Sequence, residues 1–342
     1  MKVLVTGAFG NIGSSALREL LQQGHEVRCF DVRTKANEKA ARRYGDQIEV
    51  VWGDLRNPVQ IAGAVHDRDV VIHLAFIIPK QSITGVNIEA RPDFARQINV
   101  GGTRNLLKAM GELAQPPRLV FASSQAVFGR TQDQAPCRTA GDPVCATDHY
   151  SQHKIECEEM VRASGLQWTI LRFAAALPQM IRLDPGMFDL PLDNRIEFVH
   201  TLDVGLALAN AAGSPAVWGK TLLIGGGKGC QYVYRDLMGQ ILGDMGVGAL
   251  PDEAFTLVPF YTDWLDTTES EALLHYQRHD LKDYTRELRG RLGFRAALIH
   301  VFRPLARAVL LNRSPYYRLA HPRTYWLSFL LRPAPAPARP RA

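Results

Sequence analysis

The first thirteen residues constrain this chain more than any other stretch. Lys2 to Thr6 is a short apolar run that stops at Gly7, the first of three glycines spaced by three (Gly7, Gly10, Gly13). Apolar residues then recur at Ile12, Ala16, Leu17, Leu20 and Leu21, which is helical spacing. Strand, tight turn and helix in that order predict a phosphate cradle. Gly7 turns where a Cβ would clash, Gly10 admits a pyrophosphate close to the backbone, and Gly13 lets the helix pack near the strand. The free N–H groups at the helix start, around Phe9, Asn11 and Ile12, face the anion.

His25 to Asp31 reads as a second strand ending in an acid eighteen residues beyond Gly13. A carboxylate there accepts hydrogen bonds from ribose hydroxyls and repels a 2′-phosphate, so NAD is the expected cofactor. Arg33 and Lys35, close by, are the features that would favour NADP. Ile48 to Trp52 is a third strand; Asp54 and Leu55 follow it, with Asp54 in reach of an adenine amino group or simply forming a turn. Asp69 to Ala75 has almost no alternation, as in a parallel strand buried on both faces. Residues 91–113 form a long helix containing Asn99, and Pro117 to Ala122 is a fifth strand leading to Ser123 and Ser124. The recurrence predicts an α/β fold, a Rossmann-type doubly wound parallel sheet.

After a polar loop over 130–148, a helix begins at His149 and places Tyr150 and Lys154 one turn apart on one face. An unperturbed tyrosine has a pKa of about 10, and a neighbouring ammonium stabilises its phenolate, so the pair can move a proton near neutral pH. His149 and His153 flank it and read as ordinary helix-surface histidines; no metal site is expected.

The glycine pattern, the Tyr150/Lys154 pair, the Ser124 strand end and the segment Phe198 to Asp203 together resemble the extended short-chain dehydrogenase/reductases, in order over roughly residues 1–245. The resemblance implies Tyr150 as acid/base, Lys154 holding the nicotinamide ribose, and Ser124 positioning the reacting oxygen, with Ser123 exchanged for Ser124 if the register slips by one. It further implies cofactor contacts from Leu74, Ala75, Phe76, Asn99, Ser123 and Phe173. It also implies domains at 1–172 (with 198–225 returning), a small substrate-binding region at 173–197 and 226–285, and a tail at 286–342.

Departures from the family narrow the chemistry. Gln125 and Ala126 stand where dehydratases carry an Asp-Glu pair, which argues against dehydration. Ile196 occupies the position where epimerases grip a diphosphate with Arg, and Arg195 and Arg182 are the nearest substitutes. Met180, Ile181, Leu183, Met187, Phe188, Leu190 and Leu192 predict an apolar substrate pocket. The expected activity is NAD-dependent hydride transfer at a secondary alcohol or ketone of a small or apolar, sterol- or lipid-like substrate. A sugar-nucleotide epimerase with tightly bound NAD, and a non-catalytic NAD-binding module, are the alternatives.

Charge is unevenly placed. Residues 286–342 hold twelve arginines against one acid, a net +11, which leaves −5 of the overall +6 for residues 1–285. Leu288 to Leu311 carries apolar residues at helical spacing with Pro304 as a kink, Tyr325 to Leu331 is apolar, and the Pro/Ala/Arg end is disordered by composition. Peripheral membrane attachment and packing on the chain's own domain or a dimer mate both fit. No nucleic-acid partner is expected. Without a signal-like start, and with five scattered cysteines lacking any C-x-x-C pair, the sequence predicts a cytoplasmic protein with reduced thiols, and a homodimer.

Overall fold

The computed structural model describes residues 1–79, 88–177 and 185–322. Its first element, β1 (Lys2–Thr6), runs into α1 (Asn11–Gln22), and alternation follows: β2 (Glu26–Asp31), α2 (Lys35–Ala41), β3 (Ile48–Trp52), α3 (Pro58–Val65), β4 (Val70–His73). Next come α4 (Pro92–Arg96), α5 (Gly102–Gly111), β5 (Arg118–Ser124), α6 (His149–Arg162) and β6 (Trp168–Phe173). Two short parallel strands, β7 (Ala175–Ala176) and β8 (Arg195–Val199), precede α7 (Thr201–Gly213) and β9 (Thr221–Ile224). Seven strands form one sheet in the order β3-β2-β1-β4-β5-β6-β9, its pairs parallel.

Strand alternation explains the two layers of helices. Val3 and Val5 of β1 face the core that contains Leu17 and Leu20 of α1 and Leu208 of α7. Leu4, between them, faces Ile61 of α3, Leu106 of α5 and Cys157 of α6. Helices α1 and α7 meet so closely that a Cβ on Gly205 would lie 2.6 Å from the Ser15 carbonyl carbon.

The long helix expected over 91–113 is α4 and α5 joined by a π turn at Gln97–Gly101. Gly102 begins α5 against Leu55, where a Cβ would sit 2.6 Å from the Leu55 Cβ. The widened turn lets Asn99 direct its amide to the backbone of Ile77, accepting from Ile77 N at 2.7 Å and donating to its carbonyl at 3.0 Å.

By contacts the chain forms two units: Met1–Pro178, Glu197–Gln231 and Tyr261–Asp280 make the first, and Gln179–Ile196, Tyr232–Phe260 and Leu281–Ala342 the second. Tyr261–Asp280, expected in the substrate region, thus belongs with the Rossmann sheet. Asp203 on α7 fastens it, accepting the backbone N–H groups of Arg278 and His279 at 3.0 Å each. Within this segment lies α9 (Thr268–Leu274), which follows α8 (Tyr234–Asp244) in the chain.

The second unit contains α8 and then α10 (Leu281–Leu292), α11 (Phe294–Val301), α12 (Arg303–Leu311) and α13 (Pro315–Ala320). The single kinked helix expected over Leu288–Leu311 is instead three. Gly293 breaks it with φ +53°, and Pro304 sits in the first turn of α12, where its missing N–H costs no helical bond. Phe188, expected in a substrate pocket, is fully buried against Phe255 (ring centroids 5.4 Å apart), itself edge-on to Tyr234. Met180, Ile181, Arg182, Leu183 and Tyr325–Leu331 lie outside the described residues. Among those described, no helix is long and apolar enough to cross a membrane.

Candidate active site

Thr6, at the end of β1, ties the site's floor together. Its hydroxyl oxygen accepts the N–H groups of Leu74 and Ala75 at 3.2 Å each and meets His73 Nδ1 at 2.7 Å. The other ring nitrogen of His73 meets Thr103 at 3.0 Å, and burial pushes this histidine down to about 3, so it is neutral. Gly7 follows with φ +67°, its Cα so close to Ala75 that a Cβ would stand 2.8 Å from that backbone. Gly13 is tighter still, with 2.3 Å between a built Cβ and the Gly7 carbonyl oxygen.

Helix α1 starts at Asn11 with Gly10 as N-cap, no side-chain cap and no acid in its first turn. Such an uncapped N-terminus presents N–H groups and a positive dipole end to an anion. Phe9 N–H is committed to Asp31, whose carboxylate accepts it at 3.0 Å, together with Val32 N at 2.8 Å and the Asn37 amide at 3.2 Å. Burial raises the Asp31 pKa and the two backbone donors oppose the rise. Arg33 is ion-paired with Glu38 at 2.8 Å. Asp54 is gripped by Arg56 at 2.5 Å, which holds its carboxyl below the usual range. Leu55 is buried against α5, its carbonyl accepting from Asn105 at 3.0 Å. Uncapped helix, glycine turn and a carboxylate at the end of β2 fit a dinucleotide.

Ala75 touches the glycine turn, and the next residue, Phe76, reaches the second half of the site. Its ring lies 3.5 Å from Lys154 Nζ and edge-on to Tyr150 at 5.9 Å between centroids. Helix α6 is aimed by a capping box between Asp148 and Ser151, with Ser151 N donating to Asp148 at 2.7 Å. One turn apart, Tyr150 has the Ser124 hydroxyl beside it, and Lys154 donates to the Ala122 carbonyl at 2.6 Å. Burial pushes the Tyr150 phenol up to about 12, against the Ser124 hydroxyl, which works downward. Burial also brings Lys154 down to about 7, with Glu158 among the groups opposing it.

The adjacent serines are separated by strand alternation. Ser124 faces Tyr150, whereas Ser123 is buried and donates to Glu158 at 2.6 Å. Glu158 and its partner Arg172, which also stands 4.9 Å from the Phe128 ring, escaped the sequence reading. Their signal was a carboxylate one turn beyond Lys154 and an arginine inside an apolar strand. Phe173 ends β6 beside Ser124 in the sheet register. Gln125 is buried and accepts Asp263 N at 3.3 Å. His153, expected on the helix surface, is buried next to Asn99 because that face of α6 packs on the π turn; burial lowers it to about 4. Tyr261 was also missed: it lies close to Asp148 and Tyr150.

Fold and site define an extended short-chain dehydrogenase/reductase, with a Rossmann sheet, a glycine-turn dinucleotide cradle and a Ser-Tyr-Lys set. A model of the NAD dependent epimerase/dehydratase family matches residues 3–177, and the chain belongs to that family. NAD is accordingly its cofactor, with the glycine turn and Asp31 as the residues that would hold it. A 3 beta-hydroxysteroid dehydrogenase/Delta 5-->4-isomerase of Mycobacterium tuberculosis is 32% identical over 237 residues, covering 61% of this chain and 60% of that protein. A UDP-glucose 4-epimerase of Halalkalibacterium halodurans is 32% identical over 179 residues, 51% of this chain and 50% of that one. The matches thus span only about half to 60% of these curated relatives. Among solved structures, a short-chain dehydrogenase/reductase superfamily protein from Agrobacterium tumefaciens with bound NAD superposes with TM-score 0.69 at 22% identity, covering 89% of this chain and 100% of the other.

Proposed function

We propose that this protein is an NAD-dependent oxidoreductase interconverting a secondary alcohol and a ketone on an apolar, steroid-like substrate. The observation that carries the reading is the Ser124–Tyr150 hydroxyl pair, with Lys154 one turn further along α6 and Phe76 linking both to the glycine turn. NAD, when bound, supplies the carbon that accepts or returns the hydride. Tyr150 holds or moves the proton at the substrate's hydroxyl oxygen, and Ser124 positions that oxygen. Lys154, its Nζ 5.8 Å from the Tyr150 ring centroid, would favour the phenolate when protonated and would hold the nicotinamide ribose. Arg33, engaged by Glu38, supports NAD over NADP. The steroid preference rests on the similarity to 3 beta-hydroxysteroid dehydrogenases over 61% of the chain, and on Gln125 and Ala126, which can do no acid–base work in a dehydration.

An epimerase is the second reading, favoured by the similarity to UDP-glucose 4-epimerases. Absorbance of NADH with 3β-hydroxysteroids and with UDP-sugars separates the two. Steroid-dependent NADH formation is the expected result. Sugar interconversion without net NADH, by protein that keeps NAD through purification, would replace the first reading with the second.

A further inference from the structure

Helix α11 and the start of α12 turn apolar residues outward. In a water-facing helix the apolar residues turn inward and the charged ones outward. Here α11 buries none of its residues, and Phe294, Leu298 and Val301, spaced to share one face, are exposed, Phe294 by 76% and Val301 by 70%. The row continues through Phe302 and Leu305, which is 60% exposed. It is arginine that turns back into the unit. Arg303 Nε donates to the Val247 carbonyl at 3.0 Å and Arg307 to the carbonyls of Val247 and Ala249, with Arg303 filling the space over Gly248. These polar clamps, together with the buried side chain of Leu310, hold α12 in place.

The charge of the segment that carries this row is predominantly positive. Residues 286–322 contain eight arginines and a single acid, Glu287. Arg295, Arg289 and Arg291 are exposed beside the apolar row. Between α11 and the end of α8 lies an open cleft of about 550 Å³, lined mainly by glycines and alanines, with Asp244, Arg289 and His300 on its wall. A nucleic acid would match the charge but not the phenylalanines; a neutral protein surface would match the phenylalanines but not the arginines.

We propose that the α11–α12 face docks on an anionic lipid bilayer, Phe294, Leu298, Val301, Phe302 and Leu305 entering the headgroup–acyl boundary while the arginines meet lipid phosphates. The proposal is independent of the redox chemistry. Both driving forces are those of interfacial helices: apolar area removed from water, and attraction to a negative leaflet that weakens with salt.

The test is flotation of the full chain with vesicles of phosphatidylcholine, with and without phosphatidylserine, alongside fluorescence titration with NAD. The protein is expected to float with phosphatidylserine vesicles only and to be released by added salt. The double variant Phe294→Asp/Val301→Asp, and separately Arg295→Glu, are expected to lose partitioning by about tenfold or more while binding NAD as the parent does. Failure of the parent to float, equal flotation on phosphatidylcholine alone, or a double variant that floats as well as the parent would overturn the proposal. So would ultracentrifugation showing a lipid-free dimer that the double variant abolishes, which would give the face to a second copy of the chain.

Discussion

Glu158 takes two donors of Arg172, Nε at 3.0 Å and Nη2 at 2.8 Å, in a fully buried pair one helical turn beyond Lys154. Arg162 adds a third charged contact at 2.8 Å and Ser123 a neutral one at 2.6 Å. Burial alone would raise this carboxyl, but Arg172, Ser123 and Arg162 outweigh it and hold it below the usual carboxylate range. The pair locks β5, β6 and α6 together at the strand that carries Ser124.

Removing one partner strands the other charge. Glu158→Gln is expected to destabilise the protein by about 3–5 kcal/mol, read as a lowered midpoint in urea unfolding. Because the folded-state pKa is depressed, the parent keeps this contribution at neutral pH and loses it as pH falls through the carboxylate range, so the two midpoints converge in acid.

Tyr150→Phe removes the phenol and little else. Turnover is expected to drop roughly 100- to 10,000-fold in the NADH absorbance assay, while NAD affinity by fluorescence titration stays within about twofold of the parent. Retention of most turnover would remove Tyr150 from the chemistry.

Lys154 gives a pH signature. Burial holds its folded-state pKa near 7, below the ordinary 10.5. Between those values the unfolded chain binds more protons than the folded one, so stability from this group rises with pH and is lost as pH falls through about 7. His73 and His153 are common to parent and variant. The melting temperature of the parent relative to Lys154→Met should therefore climb between neutral and alkaline pH, and a flat difference would contradict the burial argument.

Two glycines make a matched pair of tests. Gly13→Ala forces a Cβ to 2.3 Å from the Gly7 carbonyl oxygen and is expected to cost about 1–3 kcal/mol and to weaken NAD at least about tenfold. Gly63→Ala, in α3 with open space around it, should instead stabilise by roughly 0.5–1 kcal/mol and leave NAD binding unchanged. Thermal melts and NAD titrations of both variants read these outcomes.

The local signals in the sequence were those set by neighbours in the chain. The glycine turn after β1, the acid ending β2 and the one-turn spacing of Tyr150 and Lys154 all follow from strand and helix periods. What depends on tertiary partners was not legible. Ser123 and Ser124 look alike until the sheet shows which of its faces meets Glu158. His153 looked exposed because nothing local reveals that α6 turns that side to the π turn at Gln97–Gly101. The helical spacing of Phe294, Leu298 and Val301 was visible, yet spacing says only that they share a face. Arg303 and Arg307, clasping the 247–249 turn, decide that the face points outward.

The divided first unit also bears on how the protein is made. Sheet strand β6 ends at Phe173, but its outer neighbour β9 begins at Thr221, and the backbone that Asp203 fastens arrives only at Arg278 and His279. At roughly 5–20 residues per second of synthesis, the nascent sheet emerges from the ribosome with an open β6 edge for several seconds. An unpaired edge of this kind is a template for wrong pairing. Chaperone demand during translation should therefore be greatest in that interval, and slowing synthesis between codons 174 and 221 should lower the yield of soluble protein.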